Sequence, residues 1–184
     1  MLKSNKKSLT ILPTNRLLAQ VRDYILSRQS KRGEHKRELM ECLYLLGWRV
    51  GLRISEALNF DLNFEHQDQQ YKNFYLLRGK GKKERWVYVG SEVMRELRQW
   101  DWKPNQTTRF TFSKFLEQVK KELNFPPQTE LTPHTLRRCF ATYQAISGMP
   151  LPVLQKVLGH SKVSTTALYV RDGDLGNLVK FRLV

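Results

Sequence analysis

The sequence predicts a mainly helical domain carrying one small three-stranded antiparallel β-sheet, an α+β arrangement. Three observations predict it. Apolar residues recur at three- and four-residue spacing over most of the chain. The period changes only between Asn63 and Val89, where aromatic and β-branched residues dominate. Ser, Thr, Gly and Pro stand where helices would start and stop. With 184 residues, the chain is long enough to bury a core without disulfide or metal support.

Residues 1–12 are basic and weakly patterned, and read as a flexible arm. Thr14 is placed to cap a helix with an apolar face of Leu17, Leu18, Val21 and Ile25. The stretch Ser27–Arg37, crowded with Lys and Arg around Gly33, reads as an exposed linker. A second helix follows, with Leu39, Leu43, Leu46 and Val50 on one face and Gly51 as its stop. Arg53 lies at the junction to a further helix opened by Ser55 and Glu56. Segments 63–67, 71–78 and 84–89 read as the three strands, the last two flanking a hairpin loop Gly79-Lys80-Gly81-Lys82-Lys83. Helices are expected over about 91–100, capped by Ser91, and about 108–124, with Phe112, Phe115, Leu116, Val119 and Leu123 inward. Pro126-Pro127 ends the latter. The next helix, 132–147, puts Leu136, Cys139, Phe140, Tyr143 and Ile146 on its core face, with His134 and Arg137 turned away from it. Gly148 stops it, Pro150 and Pro152 open a short helix to Leu158, and Gly159 breaks that. Ser164–Arg171 reads as one last short helix before a tail, Asp172–Val184.

Charge bounds the function. Thirty-two Lys and Arg against 17 Asp and Glu leave +15, which calls for a polyanionic partner. A composition of 40% hydrophobic and 27% charged residues is that of a globular protein. No signal-peptide pattern is visible and no apolar run would span a bilayer, since Arg49 interrupts Cys42–Leu52. The expected setting is therefore cytoplasmic, with no membrane partner. Cys42 and Cys139 lie far apart in apolar helical patterns and read as reduced core residues. Four scattered histidines without CxxC or HExxH give no metal motif, and neither metal nor cofactor is expected.

Six residues together carry chemistry that none carries alone. Arg53, Arg137, Lys80, His134, His160 and Tyr169 are the parts needed to attack a phosphodiester without a metal. Arginines neutralise a pentacoordinate phosphoryl transition state. A histidine takes or shares the nucleophile's proton near neutral pH. A lysine on a mobile loop can protonate the departing 5′ oxygen, and a tyrosine forms a covalent ester that conserves the bond for religation.

At these residues the sequence resembles the catalytic domain of the tyrosine recombinases, or phage integrase family. Four segments carry the resemblance in the family's order. They are Gly51-Leu52-Arg53-Ile54-Ser55-Glu56-Ala57-Leu58 and Gly79-Lys80-Gly81-Lys82-Lys83-Glu84-Arg85, then Thr132-Pro133-His134-Thr135-Leu136-Arg137 continuing into Phe140-Ala141-Thr142. The last is Leu158-Gly159-His160-Ser161 with Ser164-Thr165-Thr166 and Tyr169, nine residues beyond the histidine. The match covers roughly residues 10–171.

The resemblance implies a fold like the recombinase catalytic domain and a site-specific DNA recombinase that works through a 3′-phosphotyrosine intermediate. It implies Arg53 and Arg137 as the phosphate-clamping arginines, with His134 assisting proton transfer. Lys80 would be the general acid, with Lys82 and Lys83 as rivals on the same loop. His160 would bond a non-bridging oxygen, and Tyr169 would be the nucleophile that releases a 5′-hydroxyl. Double-stranded DNA is the implied partner, bound by a homotetramer. The expected organisation is a basic arm and helix over 1–35, a catalytic domain over 36–171 and a tail over 172–184. Leu175, Leu178, Val179, Phe181 and Leu183 make that tail apolar enough either to contact a neighbouring subunit or to fold back. Family members of the usual design carry a separate N-terminal clamp domain, for which this sequence has no room; Arg138-Cys139 also stands where many have His and a small residue. Two other readings remain: a type IB topoisomerase-like enzyme and a non-catalytic DNA-binding module on the same fold.

Overall fold

A computed structural model describes residues 11–28, 34–78 and 84–160. Seven helices are described: α1 (Asn15–Ser27), α2 (Glu34–Trp48), α3 (Ile54–Leu58), α4 (Ser91–Gln99), α5 (Arg109–Glu122), α6 (Pro133–Ile146) and α7 (Leu151–Leu158). Strands β1 (Phe74–Arg78) and β2 (Glu84–Tyr88) form the sheet.

Helix α2 is the axis of the fold. Every residue from Met40 to Trp48 is buried, and α1, α3, α4, α5 and α6 all pack on it. A helix apolar on all sides can only be stable when neighbours surround it. The exception proves informative: Glu41 is fully buried, and Arg22 of α1 meets it at 3.2 Å while reaching Glu92 at 2.6 Å and Glu96 at 3.3 Å on α4. One guanidinium thus joins three helices through its fork of donors. The helix begins at Glu34, so the expected linker is shorter than Ser27–Arg37: residues 34–37 are already helical. At the other expected arm, Ile11 is tied down, donating to Gln128 O at 3.0 Å and accepting from Glu130 N at 3.2 Å.

Caps decide most helix ends. Thr14, Thr108 and Thr132 each accept a backbone N–H from the first turn of α1, α5 and α6. Ser91 does not cap α4; it is the first helical residue, and Gly90 occupies the cap position without a side chain to offer. Gly51 ends the α2 segment at φ +75°, where an added Cβ would lie 2.3 Å from the Phe140 ring. Only glycine satisfies both conditions.

The sheet has two strands, not three. Phe74–Arg78 pairs antiparallel with Glu84–Tyr88, Leu77 opposite Arg85. The expected strand 63–67 is instead a 3-10 turn at Leu62–Phe64 followed by a single bridge, Glu65 to Tyr75. Local side-chain bonds have outcompeted the ladder. Asp61 accepts from Asn63 N at 2.9 Å, His66 Nδ1 from Asp68 N at 3.1 Å, and Glu65 from Asn73 N at 2.9 Å. Asn73, at φ +67°, also delays β1 to Phe74, so residues 71–73 are not strand.

Helix α6 departs from expectation in two places. Tyr143, placed on its core face by spacing, is 49% exposed, because α7 packs instead against the face that carries Phe140, Ala141 and Ala145. Arg137, expected to face away from the core, is buried, since the Gly51 turn and the end of α7 cover it. Cys42 and Cys139 are free and buried, as expected. Burial pushes the Cys139 thiol up to about 12, which leaves it unreactive. Among the described residues no helix is long and apolar enough to cross a membrane.

Candidate active site

Three chain segments far apart in sequence meet where α3 begins, α6 passes and α7 ends. Each delivers a basic side chain through a local device. Gly51 turns the chain out of α2, so that Arg53 becomes the N-cap of α3. Thr132 and Pro133 fix the start of α6 and with it the angular positions of His134 and Arg137. Gly159, at φ +62°, terminates α7 in a left-handed turn that presents His160.

A buried carboxylate organises these groups. Glu56, in the first turn of α3, accepts from Arg53 N at 2.8 Å and from Arg53 Nη1 at 2.8 Å. Arg85 of β2 bonds both carboxylate oxygens at 2.8 Å each, and Arg137 Nη1 lies 3.6 Å from Oε2. Burial works to raise the Glu56 pKa, but the Arg85 and Arg53 bonds and charges prevail and lower it to about 2. Three guanidinium groups around one carboxylate leave an excess of positive charge, and at 42% side-chain exposure Arg53 carries it to the surface.

The arginines also hold backbone. Arg137 donates to Gly51 O at 2.8 Å and to Leu158 O at 2.5 Å, joining the α2–α3 turn to the last residue of α7. Arg53 Nη2 donates to Gly159 O at 3.1 Å. Arg137 Nη2 lies 3.2 Å from His160 Nε2. A guanidinium has no acceptor, so this contact requires a neutral imidazole with its proton on Nδ1. Burial first, then the charges of Arg137, Arg53 and Arg85, lower the His160 pKa to about 4, which agrees with a neutral ring. His134 stands one turn before Arg137 and faces solvent. Its pKa is lowered by desolvation and by the charges of Arg138 and Arg137. A neutral imidazole can accept a proton at neutral pH.

Of the six expected site residues, Arg53, Arg137 and His160 are therefore brought together, and His134 borders them. Lys80, its rivals Lys82 and Lys83, and Tyr169 lie outside the described residues. Sequence reasoning gave no role to Glu56 or Arg85. The signal for Arg85 was its alternation with Val87 and Val89, which places a charge on the buried face of β2. Glu56 gave a weaker one, as an acid three residues after Arg53 at a helix start. Among the described residues no cluster of three or more His, Cys, Asp or Glu is arranged to hold a metal.

The fold is shared with known proteins. The model of the phage integrase family matches residues 14–174, and the chain belongs to that family. It is similar to the tyrosine recombinase XerA of Pyrococcus furiosus, 30% identical over 147 residues that span 70% of this chain and 49% of XerA. In fold it is similar to the XerH site-specific recombinase bound to palindromic difH substrate in a post-cleavage complex (TM-score 0.77, 19% identity, all of this chain and 55% of XerH). It also resembles the catalytic domain of bacteriophage HP1 integrase (TM-score 0.60, 20% identity, 92% of this chain and 94% of that domain). The chain spans about half the length of the curated relatives it matches.

Proposed function

We propose that this chain acts in site-specific DNA recombination, cutting and rejoining DNA strands through a 3′-phosphotyrosine at Tyr169. The observation that carries the reading is the convergence of Arg53 and Arg137 on one buried carboxylate, with His160 held against Arg137. Such an array is preorganised, so it can receive a phosphoryl transition state without reorganising.

In this reading Arg53 and Arg137 clamp the scissile phosphate and His160 contacts a non-bridging oxygen. His134 receives the tyrosine proton as the Tyr169 oxygen bonds phosphorus. The phosphorus–O5′ bond breaks, its electron pair stays on O5′, and a lysine of the 79–83 loop, Lys80 first, protonates it. Reversal of these steps with another 5′-hydroxyl rejoins the strands. None of these steps calls on a cofactor. Double-stranded DNA is the proposed partner, consistent with a charge of +15. Assembly is proposed as a homotetramer on DNA in the cytoplasm, associated with the nucleoid. The proposed catalytic unit is 36–171, preceded by the basic arm and helix of 1–35 and followed by the 172–184 tail, which either contacts a subunit or folds back on its own domain.

The test uses nicked suicide duplexes built on difH and related palindromes, incubated with the protein without added metal. A covalent protein–DNA adduct that disappears in Tyr169→Phe is expected. An adduct that persists in that variant would falsify the assignment of the nucleophile. No adduct on any such site would favour a DNA-binding module, and relaxation of plasmids that lack a site would favour a type IB topoisomerase-like enzyme.

A further inference from the structure

Arg85 is the second residue of β2, two positions after the 79–83 segment that bears Lys80, Lys82 and Lys83. Its backbone pairs with Leu77 of β1, so it belongs to the base of that hairpin. Its side chain leaves the sheet and engages two other elements. Nη1 and Nη2 take the two oxygens of Glu56 at 2.8 Å each, the bidentate geometry in which a guanidinium fits a carboxylate best. Nε donates to Val157 O in α7 at 2.9 Å. The guanidinium also lies against Gly159: a Cβ there would stand 3.0 Å from Nη1 and 3.1 Å from Cζ. Gly159 is the residue whose carbonyl accepts from Arg53 and which precedes His160. One side chain therefore bonds the hairpin base to the carboxylate that holds Arg53 and to the turn that presents His160.

We propose that Arg85 is a positioning residue that couples the lysine-bearing hairpin to the phosphate-clamping arginines, so that proton donor and clamp address the same phosphodiester. This rests on the recombinase reading given above. Arg85 touches no reacting atom in this scheme; it acts through Glu56, through the α7 turn and through the strand whose loop carries the acid. A purely stabilising ion pair would have the same contacts, so the test must separate delivery of the proton from stability of the fold.

Sulfur in place of the bridging 5′ oxygen makes that separation. When the Tyr169 oxygen bonds phosphorus and the phosphorus–sulfur bond breaks, the electron pair leaves on a thiolate, which needs no proton. Loss of a positioned acid therefore slows cleavage of the oxygen duplex and spares the sulfur duplex, whereas loss of a phosphate clamp slows both. Adduct formation is measured under single-turnover conditions on both nicked duplexes for wild type, Arg85→Gln, Arg85→Lys, Lys80→Ala, Lys82→Ala, Lys83→Ala and Arg53→Lys. Thermal melting is recorded for each protein.

General acid–base assistance is worth about 10²–10⁴-fold, so both Arg85 variants are expected to lose about tenfold or more on the oxygen duplex and to recover most of it on sulfur. The lysine variant that removes the acid should show the same recovery, and Arg53→Lys should show none. Arg85→Lys keeps a cation but cannot span two carboxylate oxygens and a carbonyl. It carries the test if Arg85→Gln does not fold, because the ratio of the two rates is taken within one folded protein. Equal losses on both duplexes, or no loss at all, overturn the coupling while the recombinase reading stands. A wild type that forms no adduct on either duplex overturns both.

Discussion

Glu56→Gln is the most revealing single perturbation of the site's stability. The wild-type carboxylate is 5% exposed and accepts four bonds from Arg53 and Arg85, with Arg137 at 3.6 Å. The amide keeps the shape, removes the charge and turns one acceptor into a donor that faces donors. Two routes give the cost. A carboxyl whose pKa falls from 4.5 to about 2 favours its charged form by about 3 kcal/mol. Removing one partner from a buried ion pair independently costs about 3–5 kcal/mol. At about 2–4 °C per kcal/mol for a domain of this size, melting should fall by roughly 10 °C at pH 7. The pH dependence carries a sign. The folded-state pKa is depressed, so the contribution is complete above the ordinary value of 4.5 and is lost as pH falls towards about 2. Denaturant unfolding of both proteins from pH 7 down to pH ~3 should thus show curves that converge below pH ~4.5. A loss under about 1 kcal/mol at pH 7, or a gap that stays constant into acid, would refute the claim that this charge holds the arginines.

Three further outcomes follow from the geometry. His160, lowered by burial and by Arg137 to about 4 from 6.5, contributes stability above pH 6.5 that is lost as pH falls towards about 4; NMR titration of its imidazole should find a midpoint well below 6, and a midpoint near 6.5 would contradict the contact with Arg137. Gly51→Ala combines a φ of +75° with a Cβ 2.3 Å from the Phe140 ring, so denaturant unfolding should show a loss of about 3 kcal/mol or more. Thr132→Ala removes the acceptor for Thr135 N at the start of α6 and should cost about 1 kcal/mol by the same measurement, leaving the denaturant slope unchanged.

The described helices were legible where a periodic apolar face came with a local punctuation mark. Thr14, Gly51, Gly148 and Gly159 all act within a turn of their own position, so sequence proximity suffices to read them. What failed depended on distant partners or on competing local bonds. Segment 63–67 has the composition of a strand, yet Asp61, Glu65 and His66 satisfy nearby N–H groups and leave one bridge instead of a ladder. Arg137 and Tyr143 exchanged their expected environments because burial on α6 is set by where the Gly51 turn and α7 lie, which the helical period cannot reveal.

The site divides along the same line. The residue types suited to phosphate chemistry could be picked out by kind and order, since a guanidinium or an imidazole has few other uses in such company. How they are held could not. Three guanidinium groups repel one another, and bringing them together requires an anion already in place. Glu56 supplies it, and its exclusion from water strengthens each attraction it makes. The carbonyls of Gly51, Val157, Leu158 and Gly159 then take further donors of Arg137, Arg85 and Arg53 and fix the direction of each fork. The buried side of the cluster is thereby satisfied, while Arg53 keeps part of its guanidinium in solvent, where an anionic ligand can reach it. This division of labour arises between α3, β2, α6 and α7, and no segment read alone contains it.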